Sequence, residues 1–368
     1  MEEPLMAAIP DVMRAAVLAE PGRMRVAELP VPEPGPEDVL VRVHRASLCG
    51  TDLKIRSRAF FADGGPPPGT FVPGHEYAGR VAAVGSTVDE FRVGDRVVTE
   101  AHRGCMRCVN CLSGAYTACL NSGRREKGHR TQGMTVNGGF ADYALNHVST
   151  LHRLPDPVSF DAGVVLTTVG TVMHAFDVLG DLVVGARVAI LGPGPIGLLA
   201  VQVAKALGAD LVALLGTRES RLKLGRAFGA DLALDVRDGT AVEQVRDATG
   251  GQGVDVVLEC SGAPATVDDA LGLAKRGGEI VLVGFFGQPV TADLNRAVMN
   301  GLTLHTVRGE GAGSLARAIS LAGQGRLDTD ALVTHHFPLE EVAEAFDTYA
   351  ERRGDAIKVM LDIANDPV

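Results

Sequence analysis

Between residues 188 and 283 apolar runs alternate with helical patterns, and few folds accommodate that order. Val188–Leu191 is followed by a helical stretch to Leu207, then by Leu211–Leu215 and a second helical stretch around Arg221–Phe228. Val254–Glu259 and Glu279–Val283 continue the series. Strands joined through helices run parallel, because each crossover carries the chain back to the same end of the sheet. The expected class is therefore α/β, with a doubly wound parallel sheet. Up to about residue 150 the texture differs. Asp38–Val43, Gly79–Val84 and Asp95–Val98 are short β-like runs cut by turns such as PGPED at 34–38 and GGPPPG at 64–69. That pattern predicts a compact antiparallel β domain with functional loops. Beyond about residue 308 the alternation loosens, and a helix-like Glu340–Tyr349 and a strand-like Ile357–Ile363 close the chain. A chain of 368 residues exceeds one comfortable core, so two domains are expected.

The strand ending at Leu191 runs into Gly192-Pro193-Gly194-Pro195-Ile196-Gly197, which opens a helix. A bare G-x-G-x-x-G carries little information, but the strand–turn–helix setting makes this one a dinucleotide fingerprint. Gly192 permits the tight turn, Gly194 lets backbone approach a pyrophosphate, and Gly197 lets helix pack on strand. The helix start, Pro195 with the N–H groups of Ile196 and Gly197, faces the phosphates. The second strand then ends in Gly216-Thr217-Arg218, where an acid is expected to hold a ribose 2′-OH. Thr217 can donate a hydrogen bond and Arg218 can pair with a 2′-phosphate, which favours NADP over NAD. The alternative is that Arg218 is a solvated loop residue and Glu219 makes the ribose contact.

Cys105, Cys108, Cys111 and Cys119 follow the spacing C-x2-C-x2-C-x7-C. Four thiolates on short turns can close a tetrahedral Zn²⁺ shell, which binds no substrate and folds its own loop. Two disulfides are the competing reading, in any of three pairings. Only six cysteines occur in the chain and no secretory signal precedes them, so zinc is favoured. A second set lies upstream: Cys49-Gly50-Thr51-Asp52, then Gly74-His75-Glu76. Cys49, His75 and Glu76 can give zinc a thiolate, an imidazole and a carboxylate, leaving one position open. An open zinc site acts as a Lewis acid that lowers the pKa of a bound alcohol. Asp52 can orient His75 through its other ring nitrogen, and Thr51 can carry the alcohol proton outward. Cys260 reads as a buried small apolar residue and the pair His335-His336 as structural or interfacial, while His44 and His129 could approach the cleft.

Composition narrows the partners. Lys and Arg number 35 against 45 Asp and Glu, a net charge of -10, with the basic residues scattered. That gives no footprint for nucleic acid or for an anionic membrane. No apolar run approaches the roughly twenty residues that span a bilayer. The opening MEEPLMAAIPDV lacks the features of a signal peptide, and Met13 begins a more ordinary start. A soluble cytoplasmic protein is expected.

Taken together, the motifs resemble the zinc-dependent medium-chain dehydrogenases, the superfamily of alcohol, sorbitol and threonine dehydrogenases. The resemblance runs from Met13 to about Ile363 through CGTD at 49–52, GHE at 74–76, the four-cysteine lobe and GGFADY at 138–143. It continues through GPGPIG at 192–197, VDVVLECSG at 254–262 and GGEIVLVG at 277–284. It implies a GroES-like β-barrel catalytic domain over residues 1–165, completed by 308–368, and a Rossmann domain over 166–307. It further implies one catalytic and one structural zinc, a nicotinamide cofactor, and Lys358 of AIKVML near the pyrophosphate. A homo-oligomer, dimer or tetramer, is implied as well.

Two positions depart from the family pattern. Many members carry an acid or Cys seven residues before the position of His174 as a further zinc ligand, where this chain has Thr167. Sorbitol-dehydrogenase-like relatives hold zinc through Cys, His and the Glu of GHE with water, which keeps Cys49, His75 and Glu76 as the expected set. Many relatives also place a relay His five residues after the first zinc Cys, where this chain has Lys54. The relay then ends at water or passes through a Lys54 of depressed pKa. The implied activity is interconversion of a secondary alcohol and a ketone by hydride transfer with NADP or NAD. A non-catalytic NADP(H) redox sensor is the alternative; Thr167 and Lys54 favour it, whereas the intact CGTD and GHE motifs count against it. A zinc-free quinone or enoyl reductase is opposed by the two cysteine sets. With 4% aromatic residues and no Trp, the pocket is not expected to be an aromatic cage; the ligand set leans towards polyols or sugar-derived alcohols.

Overall fold

The computed structural model describes residues 8–60 and 65–364. The chain forms two compact units, one from residues up to 167 together with those from 329 onward, the other from 168–328. The chain leaves the first unit within the helix Phe160–Asp177 and returns at Thr329. That return falls later than the 308 expected from the loosening alternation. The helix Ser314–Gly323 stays with the second unit, where its Leu315 lies against Gly170.

The first unit is built on a seven-stranded sheet. Its order is Val333–Pro338, Lys358–Asp362, Asp38–Ser47, Glu76–Val84, Arg96–Thr99 and Leu151–Arg153, with Tyr143–His147 also pairing Asp38–Ser47. Every pairing but the first is antiparallel. The strand Lys358–Asp362 from the chain's end is thus interior to the sheet, and it sets Met360 opposite Ser47. Ser47 in turn pairs with Glu76. A hairpin, Val12–Glu20 with Arg23–Pro30, packs Val17 and Leu18 into a core shared with Leu40, Tyr77, Phe140 and Phe346.

The second unit carries six parallel strands in the order Leu232–Asp235, Leu211–Gly216, Arg187–Leu191, Val254–Glu259, Ala274–Leu282, Thr303–Thr306. Numbered along the chain this is 3-2-1-4-5-6, the doubly wound order of dinucleotide-binding sheets. Buried on both faces, the strands read as the near-continuous apolar runs VAIL, VALL and VVL. The order reverses between Arg187–Leu191 and Val254–Glu259, and ligands of such sheets bind beyond the strand ends at that point. No helix among the described residues is long and apolar enough to cross a membrane.

Candidate metal centres and cofactor turn

The first unit brings one atom each of Cys49, His75 and Glu76 within 4.8 Å of one another. Three local features make the cluster. Cys49 is the N-cap of the helix Gly50–Arg56, and Asp52 reaches back to accept its backbone N–H at 2.9 Å. Asp52 is fully buried, and its other oxygen faces His75 Nδ1 at 3.5 Å. One carboxylate therefore fixes the Cys49 backbone and faces the imidazole. The third feature lies beneath. Gly74 takes φ +94°, and a Cβ there would stand 2.3 Å from the Phe140 ring. The glycine of GHE is thus explained by the phenylalanine of GGFADY, whose Gly139 N–H donates to the Gly74 carbonyl at 2.8 Å.

Glu76 begins its strand at 3% exposure, beside Ser47, whose hydroxyl donates to the carboxylate. The Lys358 ammonium, 2% exposed, pairs with the same oxygen. The resemblance implies Lys358 near a pyrophosphate; in this fold its ammonium meets Glu76, because the strand Lys358–Asp362 enters the sheet next to Ser47. Burial pushes the Glu76 carboxyl up, but Lys358 and then His75 outweigh it and hold it below the usual range. Burial likewise pulls the His75 imidazole down, yet Asp52 and then Cys49 leave it well above its ordinary value. An anionic pocket that favours a cation at the imidazole suits a metal ion, and the donor set of one sulfur, one nitrogen and one oxygen suits zinc.

The other predicted residues fall as follows. Thr51, half-buried, lies in the first turn of the helix that Cys49 caps. Thr167 is buried and donates its hydroxyl to the Thr99 carbonyl at 3.1 Å, so the position often acidic in the family is a structural hydrogen bond here. Lys54 lies on the same helix as Thr51.

In the lobe the four sulfurs lie within 4.8 Å of one another, with Cys105 to Cys111 at 3.9 Å and Cys108 to Cys119 at 4.0 Å. A tetrahedral Zn–S length of roughly 2.3 Å requires sulfurs about 3.8 Å apart, whereas a disulfide would need about 2 Å. All four cysteines are free. Backbone N–H groups of Cys105, Cys111 and Asn121 donate to sulfurs, and the Asn121 side chain donates to Cys105 at 3.1 Å. That bond leads in holding the Cys105 thiol down to about 6, while burial pushes Cys111 up to about 12. The cluster fits a closed zinc shell.

In the second unit Gly192 takes φ +101° at the end of its strand. The helix Pro195–Ala206 follows with Gly194 as N-cap and Pro195 at its first position, so Ile196 and Gly197 sit in the first turn. Thr217 is exposed, and Arg218 is the extended residue before the helix Glu219–Ala227. Glu219 pairs with Arg226 at 2.8 Å.

Residues 35–156 match the family model of the alcohol dehydrogenase GroES-like domain, and residues 195–323 match that of zinc-binding dehydrogenases. The chain is 31% identical to a sorbitol dehydrogenase of Bacillus subtilis, over 96% of this chain and 98% of that one. It is 36% identical to an L-threonine 3-dehydrogenase of Saccharopolyspora erythraea, over 95% and 99%. A solved structure from Sinorhizobium meliloti, described as a zinc-binding dehydrogenase bound to NADP, superposes with a TM-score of 0.87 at 30% identity, over 96% of this chain and all of that one. The chain belongs to the zinc-dependent medium-chain dehydrogenases, and it is an oxidoreductase. The relatives it matches are enzymes, which leaves the redox-sensor reading without support.

Proposed function

We propose that the protein oxidises a small, polar secondary alcohol to the ketone, and reduces the ketone, with NADP(H) as the preferred cofactor. The observation that carries this reading is the buried Cys49, His75 and Glu76 cluster, backed by Asp52. Zinc held there supplies a Lewis acid that acidifies an alcohol, and the dinucleotide supplies the hydride acceptor. Cys49, His75 and Glu76 provide the ligands; Asp52 keeps the imidazole oriented; Thr51 passes the substrate's hydroxyl proton outward. Gly192, Gly194, Pro195, Ile196 and Gly197 form the pyrophosphate turn. Thr217 and Arg218 meet the adenosine ribose and its 2′-phosphate. NADP is favoured over NAD because the strand Leu211–Gly216 runs into Thr217 and Arg218, with no acid at the position expected to hold a ribose 2′-OH. A second zinc in the Cys105, Cys108, Cys111 and Cys119 shell stiffens the lobe.

Sorbitol and L-threonine share a hydroxyl on a secondary carbon bonded to a carbon that bears a polar group, and that class is the proposed substrate. The net charge of -10 suits a soluble chain, read here as cytoplasmic. Homo-oligomers are expected, since Thr303–Thr306 is an edge strand and Leu294, Val298 and Met299 are exposed. The test is a panel of polyols, L-threonine and simple secondary alcohols, each with NAD⁺ and NADP⁺, alongside a zinc count. Turnover of a polar secondary alcohol, faster with NADP⁺, is expected with about two zinc ions per chain. Cys49→Ser should lower the count to about one and abolish turnover in a folded protein. Turnover that survives Cys49→Ser would overturn the mechanism.

A further inference from the structure

At the point where the second unit's strand order reverses, Glu259 ends the strand Val254–Glu259 directly opposite Leu191, the residue before the glycine turn. It is fully buried, and among the described residues its carboxylate meets no cation. Instead one oxygen, Oε1, collects four neutral donors. The Ser261 N–H donates at 2.8 Å, the Gly262 N–H at 3.0 Å, the Thr266 hydroxyl at 2.8 Å, and the Ser261 hydroxyl also donates. Its backbone carbonyl accepts from Val283 at 2.9 Å and Gly284 at 3.0 Å, beyond the neighbouring strand. The loop 260–266 is thus wound around one side chain and pinned to two strand ends.

That loop is in turn pressed on the glycine turn. The Cys260 N–H donates to the Leu191 carbonyl at 2.9 Å, and a Cβ on Gly192 would stand 2.7 Å from Ser261 Cβ. There is no clearance between the two, so the height of Ser261 sets the path of Gly192. A carboxylate without a cation is costly to bury unless its acceptor capacity is filled. Its retention here calls for a role that an apolar residue at this strand end would not fill.

We infer that Glu259 is a positioning residue for the dinucleotide site: it touches no reacting atom, and it holds Ser261 and Gly262 against Gly192 so that the turn keeps its phosphate-binding shape. This inference rests on the reading of Gly192–Gly197 as the cofactor turn. Glu259→Ala leaves the Ser261 and Gly262 N–H groups without an acceptor, while the two hydroxyls keep only each other and the Ala263 carbonyl, and so frees the loop. Glu259→Gln retains an oxygen at Oε1 and keeps the loop's wrap.

The experiment measures cofactor affinity by titration calorimetry on the zinc-loaded protein, with NADP⁺ and NAD⁺, together with amide hydrogen exchange across residues 259–266. Glu259→Ala is expected to weaken binding about tenfold or more and to speed exchange at Ser261 and Gly262. Zinc content and the KM for the alcohol should stay unchanged. Glu259→Gln should recover most of the affinity. Should Glu259→Ala fail to fold, Ser261→Ala and Thr266→Val each remove one donor while sparing the carboxylate, and each should weaken binding and speed exchange. Folded variants that bind as the parent does, with unchanged exchange, would overturn the inference while leaving the cofactor turn intact. A parent that binds neither dinucleotide would overturn the reading of the turn and this inference with it.

Discussion

Glu76 shows how one buried charge can face two claimants. Its carboxylate pairs with Lys358 and accepts from Ser47, yet it is also one of the three groups gathered where a metal ion fits. Removing one member of a buried pair leaves an uncompensated charge, which typically costs about 3–5 kcal/mol. Lys358→Met should therefore destabilise the metal-free protein by roughly that amount. With zinc at Cys49 and His75 the ion's charge offsets Glu76, so the loss should shrink to a fraction of that figure. Urea denaturation with chelator and with zinc gives both values. Equal losses in the two conditions would show that Glu76 does not serve the metal.

The cysteine lobe depends on a different balance. Its elements are slight: the four-residue helix Val109–Leu112, three-residue turns, and the two-residue strands His102–Arg103 and Arg130–Thr131. Its apolar cluster is Cys105, Cys111 and Cys119, with Cys108 and Tyr116 packed against them. Such a segment buries too little apolar surface to offset its ordering entropy, so its fold rests on the metal. Chelation strong enough to strip this site should raise amide exchange across 105–121 to the rate of an unstructured chain. The sheet strands Asp38–Ser47 and Glu76–Val84 should stay protected. Lobe amides that remain slow without zinc would show that the hydrogen bonds alone suffice. The lobe was also the most legible element in the sequence, because its ligands are close neighbours and their spacing encodes the geometry. GPGPIG and GHE were legible for the same reason. Contacts between distant residues were not: Lys358 meets Glu76 across 282 residues, and Thr167 meets the Thr99 carbonyl across 68. The spacing of motifs carries no trace of such pairs. The hairpin Val12–Glu20 with Arg23–Pro30 escaped notice too, since most of its first strand is buried and lacks a clean alternation. Glu259 read simply as the end of a strand.

At the scale of the molecule the two units differ in how the chain supplies them. The second is one continuous segment, 168–328, whereas the first needs the final strand Lys358–Asp362 inside its sheet. The metal cluster, braced by Lys358, therefore reaches its final form only after residues 358–362 have joined the sheet. The second unit ends on one side with the short strand Thr303–Thr306, which leaves backbone groups along an open edge. Edges of this kind are usually blunted by charge or covered. Here the preceding helix Leu294–Asn300 exposes Leu294 on the same face as Val298, four residues on, with Val298 and Met299 each 78% exposed; Leu304 on the edge strand is exposed too. Two copies related by a two-fold axis would pair these edges and bury the apolar helices, a self-complementary arrangement. The parent should thus run as a dimer or tetramer in light scattering. Replacing Val298 and Met299 together with Glu should weaken that association by about a hundredfold or more, because two like charges would be buried in each half of the interface. Zinc content and cofactor affinity should be unaffected, which separates lost assembly from lost folding. A parent that is monomeric at micromolar concentration, or a double variant with the parent's mass, would place any assembly elsewhere.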